Sequence, residues 1–412
     1  MSLRFMQPSL LLVLAACGTS NPANAVAPSG DPPFSVAPVA TFGSPWALAF
    51  LPGTHDALVT EKPGSVWLVD TATGKKQPVS GAPKVVESSQ GGLLDVVASP
   101  TFATDHSVYL TYSEPSANGG SGLALARAQL VRSGAGGELT GLKVLWHDPA
   151  GGEGGQFGAI IAFAPDGKSL FLSSGERQRF TPAQDSSQPL GKILHLTLDG
   201  APAPGSPWAG RTGASTVAIT DPPDDTVAAK TAKSRTFAWP GPNLTPSETW
   251  SVGHRNPYGL AFDGEGRLWE TEMGPKGGDE LNLIQPGKNY GWPLVSEGVN
   301  YDGVPIPKPS TRPDLTPAKL FWVPSIAPTS LLIYSGSLFP QWKGSGFIGT
   351  LAGQSLIRVT FSGGDTAQKA DQWDMGARIR FVGQGPDGAI YLLEDGDGGR
   401  LLRLTPGSGR SG

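Results

Sequence analysis

Residues 253–293, GHRNPYGLAFDGEGRLWETEMGPKGGDELNLIQPGKNYGWP, combine the pattern that decides the fold with a dense set of polar groups. The part PYGLAFDGEGRLWETE has apolar alternation on both sides of a turn rich in glycine and aspartate, which is typical of a β-hairpin. A Gly/Pro loop follows, and then the acidic pair Asp279 and Glu280 and an aromatic corner at 290–292. The stretch therefore predicts a hairpin whose ends carry chemistry.

The hairpin pattern recurs along the chain, which predicts a single repeated architecture. Related segments begin at Trp46, Gly92, Ala159, Pro257, Leu331 and Arg378. The chain has 57 glycines and 39 prolines in 412 residues, about twice the usual combined share of roughly 12%. They punctuate apolar runs, which favours a turn-rich all-β fold over disorder. Six repeats predict a six-bladed β-propeller over residues 35–405. Two β-sandwiches are the competing fold, and the even spread of one motif argues against them.

The longest interval between repeats is residues 197–248, a Pro/Gly/Ala-rich insertion without helical periodicity. A structureless loop of this length is uncommon inside a compact domain. The insertion is therefore either a lid over the active face or a disordered excursion. Residues 406–412 are predicted to be a disordered tail.

The N-terminus has the features of an export signal. Residues 1–17 contain one early positive charge and an apolar run too short to cross a bilayer. The run ends in Leu-Ala-Ala-Cys, which resembles a bacterial lipobox, and Cys17 is the only cysteine. We therefore expect a lipid-anchored periplasmic or outer-membrane protein in which residues 18–34 are a flexible tether. Cleavage after Ala25, which would release a soluble secreted protein, is the alternative.

Composition excludes several classes of function. The formal net charge is −4 and no basic block is present, so nucleic acid is not an expected partner. There is no GxSxG nucleophile motif and no Cys–His pair. The histidines show no metal-ligand spacing; they are His55, His106, His147, His195 and His254.

Three strings, GHRNPYGLAF, GPKGGDELNLI and GKNYGWP, resemble the soluble aldose, glucose and sorbosone dehydrogenases in content, order and spacing. Those enzymes use pyrroloquinoline quinone (PQQ) and calcium. Weaker similarity extends from about Phe42 to Leu404. The resemblance implies a six-bladed periplasmic oxidoreductase that acts on a sugar or aldehyde and passes electrons to an acceptor that the sequence does not identify.

The resemblance also implies residues for the cofactor. PQQ carries three carboxylates, and Arg255 and Asn256 match family residues that contact it. Arg378 and Arg380 match a second arginine pair, and a spacing of two on a strand points both to one face. Ser325 matches a small hydroxyl presented to the cofactor. Alternatively, the arginines bind protein carboxylates at the seams between blades.

For calcium, the resemblance assigns the carbonyls of Gly274 and Pro275 to the ion that bridges PQQ. It assigns Glu280 and Tyr290 to a second, structural ion. A mixture of carbonyl and carboxylate oxygens suits a hard cation. The alternative is that Asp279 and Glu280 merely cap a turn.

The chain departs from the family pattern at the catalytic positions. Gln156 occupies the place of the histidine base, and Ala352 replaces a cofactor-binding lysine found in some members. The acidic residue that orients the histidine corresponds to Glu176. We therefore hypothesise that Glu176 accepts the proton from the sugar C1 hydroxyl while Gln156 orients the substrate. Arg255 completes the predicted catalytic set in addition to contacting the cofactor.

Three functions remain open on this sequence. The first is a PQQ- and calcium-dependent sugar dehydrogenase. The second is a non-catalytic propeller that binds sugar, PQQ or a partner protein, because the histidine is absent. The third is a calcium-dependent lactonase, since other six-bladed propellers hydrolyse lactones around a central calcium.

Overall fold

The structure, a computed structural model, describes residues 30–117, 119–134, 136–221 and 234–407. In these residues β-strands dominate, which confirms the all-β prediction. Helix is limited to α1 (Phe102–Asp105), α2 (Thr245–Glu248) and three 3-10 turns, Thr181–Gln184, Pro309–Thr311 and Pro340–Trp342. None of the described helices is long and apolar enough to cross a membrane. The predicted signal, Cys17 and most of the tether lie outside the described residues.

Most strands form antiparallel sheets of four. One eight-stranded sheet runs in the order β2 (Pro45–Phe50), β3 (Asp56–Glu61), β4 (Val66–Asp70), β5 (Lys76–Ser80), β9 (Gly136–His147), β8 (Ser121–Ser133), β7 (Ser107–Pro115), β6 (Leu93–Ala98). Its two four-stranded halves are linked, among the described residues, by a short parallel pairing of β5 with β9.

The remaining four-stranded sheets follow in chain order. They contain β10 (Gly158–Phe163), β11 (Ser169–Ser174), β12 (Lys192–Thr197) and β15 (Thr249–Val252); β16 (Pro257–Phe262), β17 (Leu268–Glu272), β18 (Asp279–Ile284) and β19 (Leu320–Trp322); and β20 (Pro328–Ile333), β21 (Gly346–Thr350), β22 (Ser355–Ser362) and β23 (Thr366–Asp374). The last comprises β24 (Ile379–Gln384), β25 (Ile390–Glu394), β26 (Arg400–Pro406) and the N-terminal strand β1 (Phe34–Thr41).

Each of the six sequence repeats forms the first two strands of a four-stranded unit. The turn Pro165-Asp166-Gly167 illustrates why: the Gly167 N–H donates to the Ala164 carbonyl at 2.8 Å, and Gly167 adopts φ 69°. A glycine accepts this left-handed backbone without steric cost, which reverses the chain between β10 and β11.

The first strands of the units contact one another in series. β2 contacts β6, β6 contacts β10, and the series continues through β16, β20 and β24 back to β2. Residues from all six strands line a cavity of about 440 Å³. Two separate β-sandwiches would not share such an interior.

The two ends of the described chain meet in one sheet. Phe34 pairs with Pro406, and β1 runs antiparallel to β26. The strands thus extend one residue beyond each predicted limit of 35–405, because this ladder satisfies the backbone of both ends. Residues 408–412 of the predicted tail lie outside the described residues.

The 197–248 insertion contains regular structure that its composition did not indicate. β13 (Thr216–Thr220) and β14 (Ser234–Ala238) form a two-stranded ribbon. Val217 and Ile219 pack against Ala150. The described part is therefore docked on the loop before β10 and is not a disordered excursion; residues 222–233 lie outside the described part.

Hydroxyl groups on second strands connect neighbouring units. Thr111 on β7 accepts the Asp95 N–H at 3.0 Å and donates to the Ala159 carbonyl of the next unit at 2.7 Å. Thr60 and Ser173 each make the equivalent pair of bonds. The first strands are bulged near these positions, so the hydroxyls satisfy backbone groups that the ladders leave unpaired.

We expect Thr111→Val to lower the free energy of unfolding by about 1–3 kcal/mol, because it keeps the side-chain shape but leaves a buried N–H and a buried carbonyl unsatisfied. Denaturant titration measures the change. Thr366→Val, at an exposed position of β23, is the matched control. Equal stability of the two variants would contradict a bridging role for the hydroxyl.

Candidate active site

Gln156 lies at the centre of the candidate site, two residues before the start of β10, and is 4% exposed. In the amide orientation that satisfies both groups, its oxygen accepts from Arg255 Nη2 at 2.9 Å and its nitrogen donates to Glu176 Oε1. The structure thus brings together the three residues that the sequence assigned to catalysis. It joins them in one buried hydrogen-bonded chain.

Glu176 lies behind Gln156 and is 1% exposed. Its Oε2 accepts the Phe180 N–H, and its own N–H donates to the Arg255 carbonyl at 2.9 Å. Burial raises the pKa of the Glu176 carboxyl, although the positive charge of Arg255 opposes the shift. Such a carboxylate is a stronger base than an exposed one.

Backbone carbonyls fix the guanidinium of Arg255, and its Nε remains an unpaired donor in the described structure. Its Nη1 donates to the carbonyls of Met273 at 3.0 Å and Gly274 at 2.6 Å. Its guanidinium lies 5.3 Å from the Trp292 ring centre, and the buried Nε has no hydrogen-bond partner in the described structure. A buried unpaired donor costs free energy unless a ligand completes it, so Arg255 is suited to grip an anion.

Gln90 connects the neighbouring side chains, and sequence reasoning missed it. Its Oε1 accepts from the Gln156 N–H at 2.9 Å, from the Tyr258 hydroxyl at 3.0 Å and from Asn256 Nδ2 at 3.4 Å. A single glutamine in a glycine-rich loop carries no local signal. Tyr301, also missed, lies 6.0 Å from the Arg255 guanidinium and is 54% exposed.

Arg378 and Arg380 both bind Asp395, as residues on one face of a strand do. The arginines thus pair with a protein carboxylate, as in the alternative interpretation, but Asp395 follows β25 of the same unit and does not lie at a seam between units. Arg380 also lies 4.3 Å from the Trp46 ring centre, and Trp46 packs edge-on against Tyr258. Arg380 is therefore connected to Gln90 through Trp46 and Tyr258. Arg378 is half exposed and takes no part in this series of contacts.

Two buried arginines fix the glycine-rich loop that leads to Gln156. Arg177 donates to the carbonyls of residues 152, 154 and 155, whereas Arg179 donates to those of residues 151 and 153. Arg177 also stacks on Phe157 at 3.8 Å. Burial lowers the pKa of Arg177 to about 9. The pair holds the backbone that precedes Gln156, and Arg177 also contacts the Phe157 ring that follows it, which limits where the Gln156 side chain can point.

The loop between β17 and β18 presents the carbonyls predicted for calcium. Pro275 accepts from Ser325 Oγ at 3.4 Å. Asp279 accepts three backbone N–H groups, from Gly274, Ile326 and Ala327, and burial raises its pKa to about 6. Asp279 therefore caps this loop, which is one half of the alternative interpretation; the Glu280 carboxylate instead accepts from Asn282 Nδ2.

Glu280 and Tyr290 line a small cavity of about 10 Å³. That volume is roughly the room for one water-sized sphere. The Tyr290 hydroxyl donates to the Leu283 carbonyl at 2.5 Å and accepts the Gln285 N–H at 2.9 Å. Its backbone carbonyl is consequently the oxygen left for a cation. Ala352 lies exposed in the turn between β21 and β22, and its methyl side chain has no polar group with which to replace the lysine.

The structure is thus of the propeller type, with a buried arginine, amide and carboxylate at the ends of its strand units. The chain belongs to the Glucose / Sorbosone dehydrogenase family, whose sequence profile matches residues 42–219 and 231–403.

Individual relatives agree with this assignment. The chain is 35% identical to the aldose sugar dehydrogenase YliI of Escherichia coli over 88% of this chain and 90% of the relative. The crystal structure of the soluble E. coli aldose sugar dehydrogenase in its apo-form has a TM-score of 0.78 at 32% identity, covering 91% of this chain and 100% of that one. The PQQ-bound aldose sugar dehydrogenase of Streptomyces coelicolor has a TM-score of 0.64 at 28% identity, covering 92% and 99%.

Proposed function

We propose that this protein is a closed six-bladed propeller that oxidises the C1 hydroxyl of an aldose or related sugar, using PQQ and calcium. The observation that carries the proposal is the buried chain Glu176–Gln156–Arg255. In this chain, the proposed anion-binding residue Arg255 and the proposed base Glu176 both contact the side chain of Gln156. The PQQ-bound relative supports the choice of cofactor.

The residues present fit PQQ. Arg255 keeps a buried unpaired donor, and Asn256 and Gln90 offer amides beside it. Ser325 and Arg380 are further candidate contacts, with Arg378 at the margin. When bound, PQQ supplies the two-electron acceptor for the hydride that leaves C1 of the sugar.

Glu176 is the candidate base for the C1 hydroxyl proton. Both of its oxygens are engaged, Oε2 by Phe180 and Oε1 by Gln156. The substrate hydroxyl must therefore replace the Gln156 amide as the partner of Oε1. Gln156, once displaced, keeps a donor and an acceptor with which to orient the sugar.

Calcium is proposed at two positions. The carbonyls of Gly274 and Pro275 would hold the ion beside PQQ, where Arg255 already contacts the first carbonyl. The small cavity at Glu280 and Tyr290 suits a structural ion.

Calcium should raise the melting temperature of metal-free protein, because a ligand that binds only the native state adds RT ln(1 + [L]/Kd) to its stability. Glu280→Gln should shrink that gain. Thermal denaturation with calcium and with chelator measures both, and Glu138→Gln, at an exposed position, is the control. Identical melting curves with and without calcium would refute the structural ion.

A dye-linked oxidation screen with added PQQ and calcium tests the catalytic proposal. A true dehydrogenase bleaches the quinone spectrum on addition of its sugar. The second candidate is a non-catalytic sugar- or PQQ-binding propeller, which Gln156 favours because an amide cannot take a proton. If the protein binds PQQ but no sugar, aldehyde or polyol reduces it, the non-catalytic function is correct.

We further propose a lipid anchor at Cys17 and a location in the periplasm or at the outer membrane. Stable anchoring requires more than one acyl chain. Cys17→Ser should move the protein from the detergent fraction to the soluble fraction of its source cell.

A further inference from the structure

Four polar side chains form a compact square on one face of β17 and β18. Glu270 pairs directly with Asn282, and Glu272 pairs directly with Glu280. Residues two apart on a strand share a face, so three carboxylates and one amide meet there. Like charges directly opposite each other destabilise a sheet, and this arrangement therefore needs a compensating group.

The amide of Asn282 cannot provide that compensation alone. Its Nδ2 lies 3.0 Å from Glu270 Oε2, 3.2 Å from Glu272 Oε1 and 3.1 Å from Glu280 Oε2. An amide nitrogen has only two hydrogens. At least one carboxylate oxygen therefore faces the nitrogen without a proton between them.

Two polar atoms of the square have no hydrogen-bond partner within the described residues. They are Glu270 Oε1 and Asn282 Oδ1, and both side chains are 0% exposed. Buried polar atoms without partners indicate a missing ion or water.

Few basic groups lie near the carboxylates of the square. Within the described part of the chain, the only basic side chain in ion-pair range of these carboxylates is His254, whose Nδ1 lies 3.4 Å from Glu272 Oε1. Its Nε2 lies 2.9 Å from the Ser251 hydroxyl. One imidazole cannot neutralise three buried carboxylates, so most of the negative charge has no counterpart in the described protein.

We propose that this face is a divalent-cation site in which Glu270, Glu272 and Glu280 supply carboxylate oxygens and Asn282 supplies its carbonyl oxygen after its amide turns. Carboxylate oxygens of Glu270 and Glu272 lie within 4.8 Å of each other and of a His254 ring nitrogen. Glu280 joins them through Asn282 Nδ2, which lies 3.1 Å from its Oε2. The cavity beside Glu272 and Glu280 adjoins the square. Oxygen donors of this kind select calcium over softer metals.

The proposal deepens the calcium part of the proposed function, on which it rests, by adding Glu270, Glu272 and Asn282 to Glu280 and Tyr290. It also links the ion to the candidate active site. Glu272 Oε2 accepts the Arg255 N–H at 2.6 Å, so an ion that fixes Glu272 also fixes the residue proposed to grip the cofactor. His254, stacked on Tyr290, acts as an orienting donor to Glu272.

Glu270→Leu should change the melting temperature and the calcium response in opposite directions. In chelator, the variant should melt several degrees above the wild type, because it lacks one of the mutually repelling buried charges. In calcium, the wild type should gain more than the variant. Calorimetric titration of metal-free, PQQ-free protein with calcium should show affinity weakened by about 10–100-fold or more, the loss typical when even an outer-shell partner of a metal is removed.

Matched variants keep the test decisive. Glu270→Gln repeats the measurement with minimal change of shape, should the leucine variant fail to fold. Glu265→Gln, exposed on the turn of the same hairpin, should titrate as the wild type does. Wild-type calcium affinity in both Glu270 variants overturns the proposal.

Other outcomes separate this site from the proposed function. If Glu280→Gln weakens calcium binding while the Glu270 variants do not, the ion belongs to Glu280 and Tyr290 alone, and the wider ligand set is wrong. If the wild type binds no calcium, both the wider and the narrower ion sites are wrong. If calcium binds as proposed but no sugar reduces bound PQQ, the proposed oxidation is wrong and the cation site stands.

Discussion

Exchanging Gln156 for histidine should raise the turnover of an aldose in protein loaded with PQQ and calcium, but by less than the roughly 10²–10⁴-fold that a general base contributes in full, because Glu176 already supplies part of that contribution. Position 156 lies between the Glu176 carboxylate and the Arg255 guanidinium. An imidazole there can donate one ring N–H to Glu176 and present the other nitrogen as a proton acceptor. Arg255 favours the neutral imidazole, since like charges repel.

Steady-state dye reduction with saturating sugar measures this gain. Gln156→Asn is the control, because it keeps the amide chemistry but shortens the reach. PQQ binding, followed by absorbance, should be similar in all three proteins. If Gln156→His binds PQQ and is no faster than the wild type, position 156 does not lie over the reacting carbon.

The hairpins were predictable because their signals are local. Pro165, Asp166 and Gly167 sit between two alternating runs, and that turn forms where the sequence places it. The inner strands also follow from the repeats. The docking of β13 and β14 did not follow, because it depends on contacts of Val217 and Ile219 with a loop some seventy residues earlier.

Some residues of the candidate site were likewise predictable from the sequence and others were not. Arg255, Gln156 and Glu176 were identified because a resemblance marks their positions, and the structure joins them. The sequence did not identify Gln90 as a site residue, because its three hydrogen-bond partners belong to distant parts of the chain. The roles of Arg177 and Arg179 escaped as well, since a basic residue in a loop ordinarily indicates a solvated surface, whereas these two are buried among backbone carbonyls.

Glu270 shows how strand register creates chemistry that composition conceals. In the sequence, WETE shows only that Glu270 and Glu272 are two residues apart and so share one face of a strand. Only the pairing of Glu272 with Glu280 and of Glu270 with Asn282 shows that the acidic face is internal. Burial then turns an ordinary polar pattern into a concentration of negative charge.

Glu176→Gln should lower turnover by about 10²–10⁴-fold while PQQ still binds, because the variant removes the proposed base but none of the proposed cofactor contacts. The new amide can still accept the Phe180 N–H through its oxygen, so the local fold is preserved. Glu153→Gln, an exposed change in the adjoining glycine-rich loop, is the control. A melting temperature close to that of the wild type would show that the loss is catalytic.

The pH dependence separates a base from a positioning residue. Burial raises the pKa of Glu176, and a base acts only when deprotonated. Wild-type turnover should therefore be present above this raised pKa and fall as pH decreases through it. Glu176→Gln should lose this acidic limb together with its rate. A variant that is slow but keeps the wild-type acidic limb would show that another group takes the proton and that Glu176 only positions Gln156. Full activity in PQQ-loaded Glu176→Gln would remove Glu176 from the reaction altogether.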